Sequence, residues 1–262
     1  MVAYSPESYR HLLEVALQRG YRFIGFRDRP EEGKRAIYLR HDVHGTFAPA
    51  LKIAEVNRAL GVQGTFFLLL RSQSYNLLGD WAVERARAIQ GLGQRLGLHY
   101  VAPAALPPDD GELASLIRGD LELARRQLPE LEAVVSFHNP TAELLRRGVS
   151  LDVPGIVNTY SEWFVKDVRY YSDSNMRHSV TELEAIVSGG EGTLQLLFHP
   201  DHWVPGGTAM LDVLASMWGH VLRELDDEMR SNSVYQCLFP EGLPEHVLRT
   251  FVESWREAAR KR

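Results

Sequence analysis

The stretch YLRHDVHGTF, residues 38–47, closes an apolar run with Arg40, His41, Asp42 and His44. Four such groups rarely gather at the tip of a buried strand unless they bind or react with something. Asp42 and His44 are two residues apart, so on a strand they point the same way. One can hold a metal while the other takes a proton from a water. Other apolar runs share the habit: RLGLHY carries His99, AVVSFHNP carries His138, and LQLLFHP carries His199. The polar segment YYSDSNMRH adds Asp173 and His178, whereas His11, His220 and His246 lie in helical sequence. A lone histidine after an apolar strand is more often a hydrogen-bonded or half-exposed residue than a ligand. Their joint placement is what points to a metal or acid–base site. Imidazole and carboxylate donors suit a divalent transition metal, with zinc first and iron, cobalt or nickel as alternatives. The single cysteine, Cys237, excludes a thiolate-rich site, and its neighbours in VYQCLF predict a buried, inert thiol.

Short apolar runs alternate with amphipathic helical patterns along nearly the whole chain. SPESYRHLLEVALQRG reads as a helix over 5–19, with Ser5 as cap, Pro6 in the first turn and Gly20 as stop. Buried strands are expected at RAIYLRHDV, GTFFLLL, RLGLHYV, AVVSFHNP and GTLQLLFHP, with a short one at YRFIGF. Helices are expected between them, with Gly61 ending one and Asp80 capping another. The segment from Asp152 to His178 is aromatic-rich and irregular. A long helix follows the last strand, and a helix over 244–260 closes the chain. Such alternation favours a parallel sheet, open or rolled into a barrel, whose strand C-termini share one rim.

The 262 residues, 45% hydrophobic and 24% charged, suit one large α/β domain spanning 1–262, with both terminal helices packed on it. A net charge of −5 gives no general affinity for nucleic acid or anionic membrane. The basic end REAARKR reads as a solvated helix terminus. No window is apolar enough to span a membrane and the start lacks a signal-peptide core, so a cytoplasmic protein is expected.

In this order and spacing, LRHDVH, GTFFLLL, GLHY, SFHNP, YYSDS and LLFHP resemble the motifs of the NodB-related polysaccharide deacetylases. The closer match is the divergent, unsecreted branch associated with surface-polysaccharide (O-antigen or capsule) biosynthesis. The likeness runs from about Ser5 to about His202. It implies a distorted (β/α) barrel and metal-dependent removal of an acyl group from an amino sugar. Asp42 matches the family's general base, and His44 stands where a second, metal-binding acid is expected. His99 matches the first metal histidine of the second motif, and His199 the general acid. The usual second histidine has no counterpart, since YVAPAAL follows His99, and Gln94 stands where relatives of this branch tend to have histidine. The third ligand then falls to His138 or Asp173, the latter equally readable as an orienting or turn residue. Arg40 pairs with a carboxylate beneath the rim or meets substrate. Tyr171 and Trp203, with Trp163, Tyr160 and Tyr170, stack on a sugar or pack in the core.

The leading expectation is a metal-dependent hydrolase cleaving an acyl amide, most simply an acetamide, on a nucleotide- or lipid-linked sugar. A degraded relative that binds saccharide without hydrolysis is the alternative, and an ester or other amide substrate is a third.

Overall fold

A computed structural model describes residues 3–203 and 209–260. The remaining positions of the expected 1–262 domain, including the basic pair Lys261–Arg262, lie outside the described residues. Eight strands form one sheet: β1 (Arg22–Ile24), β2 (Ala36–Val43), β3 (Thr65–Leu69), β4 (Arg95–Tyr100), β5 (Val134–Phe137), β6 (Val157–Asn158), β7 (Arg169–Ser172) and β8 (Thr193–Phe198). Their order is β6-β5-β4-β3-β2-β8-β7, with β1 beside the first half of β2, and every pairing is parallel. The sheet curls into a half-barrel whose end strands, β6 and β7, do not pair. It is the expected distorted (β/α) barrel with one side open.

Alternation along the strands separates two cores. Ile37 and Leu39 of β2, Phe66 and Leu68 of β3, and Leu194, Leu196 and Phe198 of β8 face the surrounding helices. Tyr38 and Phe67 face the lumen, where they pack with Phe26, Val134, Phe164 and Val168. Burying each such large side chain is worth roughly 1.5–3 kcal/mol, so the two-sided burial of β2 explains its unbroken apolar start. Gly97 of β4 is required for the inner layer: a Cβ there would lie 2.7 Å from the Phe67 ring. On the outer face, His41 meets Tyr9 Oη at 3.2 Å and Asn57 Nδ2 at 3.3 Å, and Asn57 in turn reaches Gln94. Burial holds the His41 pKa down to about 3, so it is a neutral wall residue, as its alternation with Asp42 predicts.

The helices follow the sequence signals closely. α1 (Pro6–Gln18) is capped by the Ser5 hydroxyl and stops before Gly20 at φ +81°. α2 (Phe47–Ala59) follows β2, and α7 (Val180–Ser188) opens with a reciprocal Ser179–Glu182 capping box. α3 (Asp80–Gly91) begins at Asp80 with Gly79 in the cap position, so Asp80 is the first helical residue and not the cap. α4 (Asp110–Gln127) tolerates Gly119, and α5 (Ala142–Ser150) fills the gap before β6. The segment left irregular by sequence contains β6, the short α6 (Glu162–Lys166) and the edge strand β7. α8 (Met210–Met229), α9 (Ser233–Leu238) and α10 (Glu245–Arg260) end the chain, and α10 packs chiefly on α8. Cys237 on α9 is exposed, contrary to its apolar sequence context, because this short helix buries none of its residues. Among the described residues, no helix is long and apolar enough to cross a membrane.

Candidate active site

Because all strands run parallel, their C-terminal ends share one rim, and most of the strand-end histidines meet there. His44 lies just past β2, His99 near the end of β4, and His138 just past β5. His44 Nε2 lies 2.9 Å from His99 Nε2, and His138 Nδ1 lies 3.3 Å from each. Burial, the largest influence on all three, pushes their pKa values down, that of His99 to about 3, so they are neutral. Each contact between two neutral ring nitrogens needs a proton on one of them, so a converging trio cannot be satisfied fully from within. A divalent ion accepting three lone pairs resolves the conflict. Tetrahedral zinc with Zn–N of about 2.0–2.1 Å would hold its nitrogens about 3.3 Å apart, close to the spacing found. The trio fits a metal, with His138 as the third nitrogen.

The support around the trio is specific. β4 and β5 place His99 opposite Ser136, and His99 Nδ1 meets Ser136 Oγ at 2.7 Å. With Ser136 Oγ as the acceptor of this contact, the ring proton sits on Nδ1 and the Nε2 lone pair faces His44 and His138, the tautomer a metal needs. His44 is fixed through the next residue: Gly45 N–H donates to Asp201 Oδ2 at 3.1 Å, and Met217 of α8 fills the space where a Cβ would stand.

Asp42 lies beside the trio, its Oδ2 3.5 Å from His99 Nε2. Arg40, two residues earlier on the same face, donates to both carboxylate oxygens, at 2.8 and 2.7 Å. Burial alone would raise the Asp42 pKa, but the Arg40 charge, His99 and those hydrogen bonds outweigh it and hold the carboxyl well below its usual range. The guanidinium also sits 5.2 Å from the Tyr160 ring and 5.5 Å from the Phe67 ring. Arg40 is therefore committed to the carboxylate partner, which is Asp42 itself. Arg40 also lines the cavity, and its Nη1 has no hydrogen-bond partner in the protein.

On the other side stands His199, its ring centroid 4.8 Å from that of His44. Asp173 accepts from His199 Nδ1 at 2.6 Å and from the His199 backbone N–H at 2.9 Å. Burial lowers the His199 pKa, but the Asp173 charge and hydrogen bond reverse the effect and leave it raised. Asp173 also accepts from Trp203 Nε1 at 2.9 Å and has His202 Nδ1 3.4 Å away. The structure thus uses Asp173 to orient His199 and does not bring it to the His44–His99–His138 trio. Trp203 is buried among Tyr4, Tyr9 and Phe198, so it is a core and orienting residue and offers no face to a sugar. Tyr171 points away from the reaction cavity, because alternation on β7 presents Tyr170 there instead.

The reaction cavity has a volume of about 390 Å³. Besides the residues above, its wall includes Tyr160, Tyr170, Asn139 and Arg177. Ser136 was not singled out from the sequence, although in SFH its two-residue spacing from His138 puts both on one face. Tyr160 was among the aromatic candidates, whereas Asn139 and Arg177 lie in loops and carry no period that marks them.

No protein-family model and no curated protein matches this sequence. Solved structures with similar backbones include a chitin deacetylase from Colletotrichum lindemuthianum, at 19% identity and TM-score 0.44, covering 69% of this chain and 81% of that one. A peptidoglycan deacetylase from Bdellovibrio bacteriovorus matches at 16% identity and TM-score 0.42, over 80% of this chain and 53% of its own length. A family 4 carbohydrate esterase from Streptomyces lividans, in complex with acetate, matches at 14% identity and TM-score 0.38, over 73% of this chain and 88% of that one. The chemistry assigned to this chain rests on its own side chains, not on these likenesses.

Proposed function

We propose that this protein is a metal-dependent hydrolase that removes an acyl group, most simply acetyl, from an amino sugar. The convergence of His44, His99 and His138 beside a buried carboxylate and an oriented histidine carries the reading. A divalent ion on that trio would supply Lewis-acid charge at the carbonyl oxygen and acidify an attacking water. Asp42, kept ionised by Arg40, takes the proton of that water as its oxygen bonds to the amide carbon. His199, whose Nδ1 is held by Asp173, presents Nε2 to the cavity and protonates the leaving nitrogen as the C–N bond breaks. The products are a carboxylic acid and a free amine. A saccharide fits a cavity with aromatic walls and several hydrogen-bonding groups. A nucleotide- or lipid-linked precursor handled in the cytoplasm, within surface-polysaccharide synthesis by one domain, is the finer form of this reading.

Acetate release from N-acetylated amino sugars, measured on protein loaded with zinc, cobalt, nickel or iron, tests it. The reading expects turnover that Asp42→Asn abolishes. The competing reading, a saccharide binder without hydrolysis, is favoured by His44 in place of an acid, and it expects bound sugar with no acetate released.

A further inference from the structure

The open side of the half-barrel holds a second cavity, of about 600 Å³, beside the reaction cavity. It lies where a strand between β6 and β7 would have closed the barrel, and α6 covers it only in part. Its lining includes Thr159, Tyr160, Val165, Tyr170 and Gln195. Tyr160 and Tyr170 also line the reaction cavity, so the two spaces share one aromatic wall. Gln195 lies on the lumen face of β8, in register with Tyr170 on β7 and Tyr38 on β2.

Two side chains here lack what their burial demands. Gln195 and Thr159 are each 2% exposed, yet Gln195 Oε1 and Thr159 Oγ1 have no hydrogen-bond partner in the protein. A buried amide or hydroxyl left unpaired is costly, and such groups are retained where an outside partner completes them. Three charged residues stand in the lining: Lys166 pairs with Glu162, Arg169 pairs with Glu191, and Asp167 adds a carboxylate. Away from these charges, the buried wall offers a neutral acceptor, a hydroxyl and flat aromatic faces. That set matches a neutral ring carrying hydroxyl groups, and the volume accommodates one.

We propose that this seam cavity is a second saccharide site, taking a neutral pyranose ring against the Tyr160–Tyr170 wall with Gln195 and Thr159 as its buried hydrogen-bonding partners. The inference rests on reading the reaction cavity as a sugar site. The ring is either the next unit of the molecule being processed or a separate sugar.

Isothermal titration of the metal-loaded protein with N-acetylglucosamine, its β-1,4-linked disaccharide and the unacylated disaccharide cellobiose tests this, with acetate release followed in parallel. Gln195→Leu and Thr159→Val keep side-chain volume, and Val165→Trp narrows the mouth from an exposed helix position, so a folding defect in one leaves the others informative. A next-unit site predicts that the N-acetylated disaccharide binds about tenfold tighter than the monosaccharide, and that each variant removes most of this gain while sparing the monosaccharide. A separate-sugar site predicts two monosaccharides per chain, one of them lost in the variants. Variant-sensitive binding with no acetate released would uphold the cavity and overturn the hydrolase. Acetate release with binding and turnover indifferent to chain length and to all three substitutions would do the reverse. Absence of any sugar binding overturns the inference as well.

Discussion

Removing Arg40 should destabilise the fold far more than an ordinary substitution. The Arg40 and Asp42 side chains are 1% and 3% exposed, and two hydrogen bonds join them. Unit charges about 4 Å apart attract by about 4 kcal/mol at an effective dielectric of about 20. Arg40→Met retains much of the stem and its packing on Phe67, but strands the Asp42 carboxylate in a nearly dry site. Breaking a buried pair from one side costs about 3–5 kcal/mol, whereas removing both charges is often close to neutral. Urea unfolding of Arg40→Met, Asp42→Asn and the double variant forms the cycle. Each single variant should lose about 3–5 kcal/mol, and the double variant should lose less than the sum by at least about 2 kcal/mol. Single losses below about 1 kcal/mol, or simple additivity, would refute the view that Arg40 serves chiefly to hold Asp42 ionised.

Ser136→Ala should lower metal affinity about 10–100-fold with little change in the fold, measured by competition with a chelating dye. An unchanged affinity would mean that Ser136 does not set the His99 tautomer. Asp173 raises the pKa of His199, so the acid form of His199 persists above its ordinary 6.5 in the native protein. Asp173→Asn should therefore move the alkaline limb of the kcat profile to lower pH while metal content stays the same, and an unmoved limb would count against His199 as the acid. His41 is held neutral down to about pH 3 in the fold but gains its proton near 6.5 when unfolded. Its contribution to stability is complete above about 6.5 and declines as pH falls toward 3. Urea midpoints at pH 7.5 and 4.5 should differ less in His41→Gln than in the native chain, and equal differences would contradict this.

The sheet was legible because both signals that specify it are local. The buried run of β2 and the Ser5 and Gly20 boundaries of α1 are each read from one short stretch of chain. The histidine-lined rim was legible for a related reason, since parallel strands carry their C-terminal residues to one end. Asp42, His44, His99 and His199 meet as that rule requires. His138 and Asp173 could not be separated by sequence, because which of them reaches the trio depends on how β5 and β7 are placed in the curl. The same limit applies to the aromatic residues. Tyr170 and Tyr171 are neighbours in sequence, and only the register of the edge strand β7 against β8 decides which meets the cavity. For Trp203, which sequence left between a sugar and the core, the choice falls to the core because its indole nitrogen is used by Asp173, 30 positions away in sequence. Cys237 misled for the opposite reason: apolar neighbours predict burial only when a helix has something to pack against.

The central claim is that three histidines from three strand ends hold one metal. X-ray absorption spectroscopy on protein loaded with one equivalent of zinc, together with the metal content of His44→Ala, His99→Ala, His138→Ala and Asp173→Asn, tests it most directly. The account predicts a first shell with three imidazole nitrogens at about 2.0–2.1 Å, metal lost from each histidine variant and retained in Asp173→Asn. Metal retained in His138→Ala and lost in Asp173→Asn would contradict it.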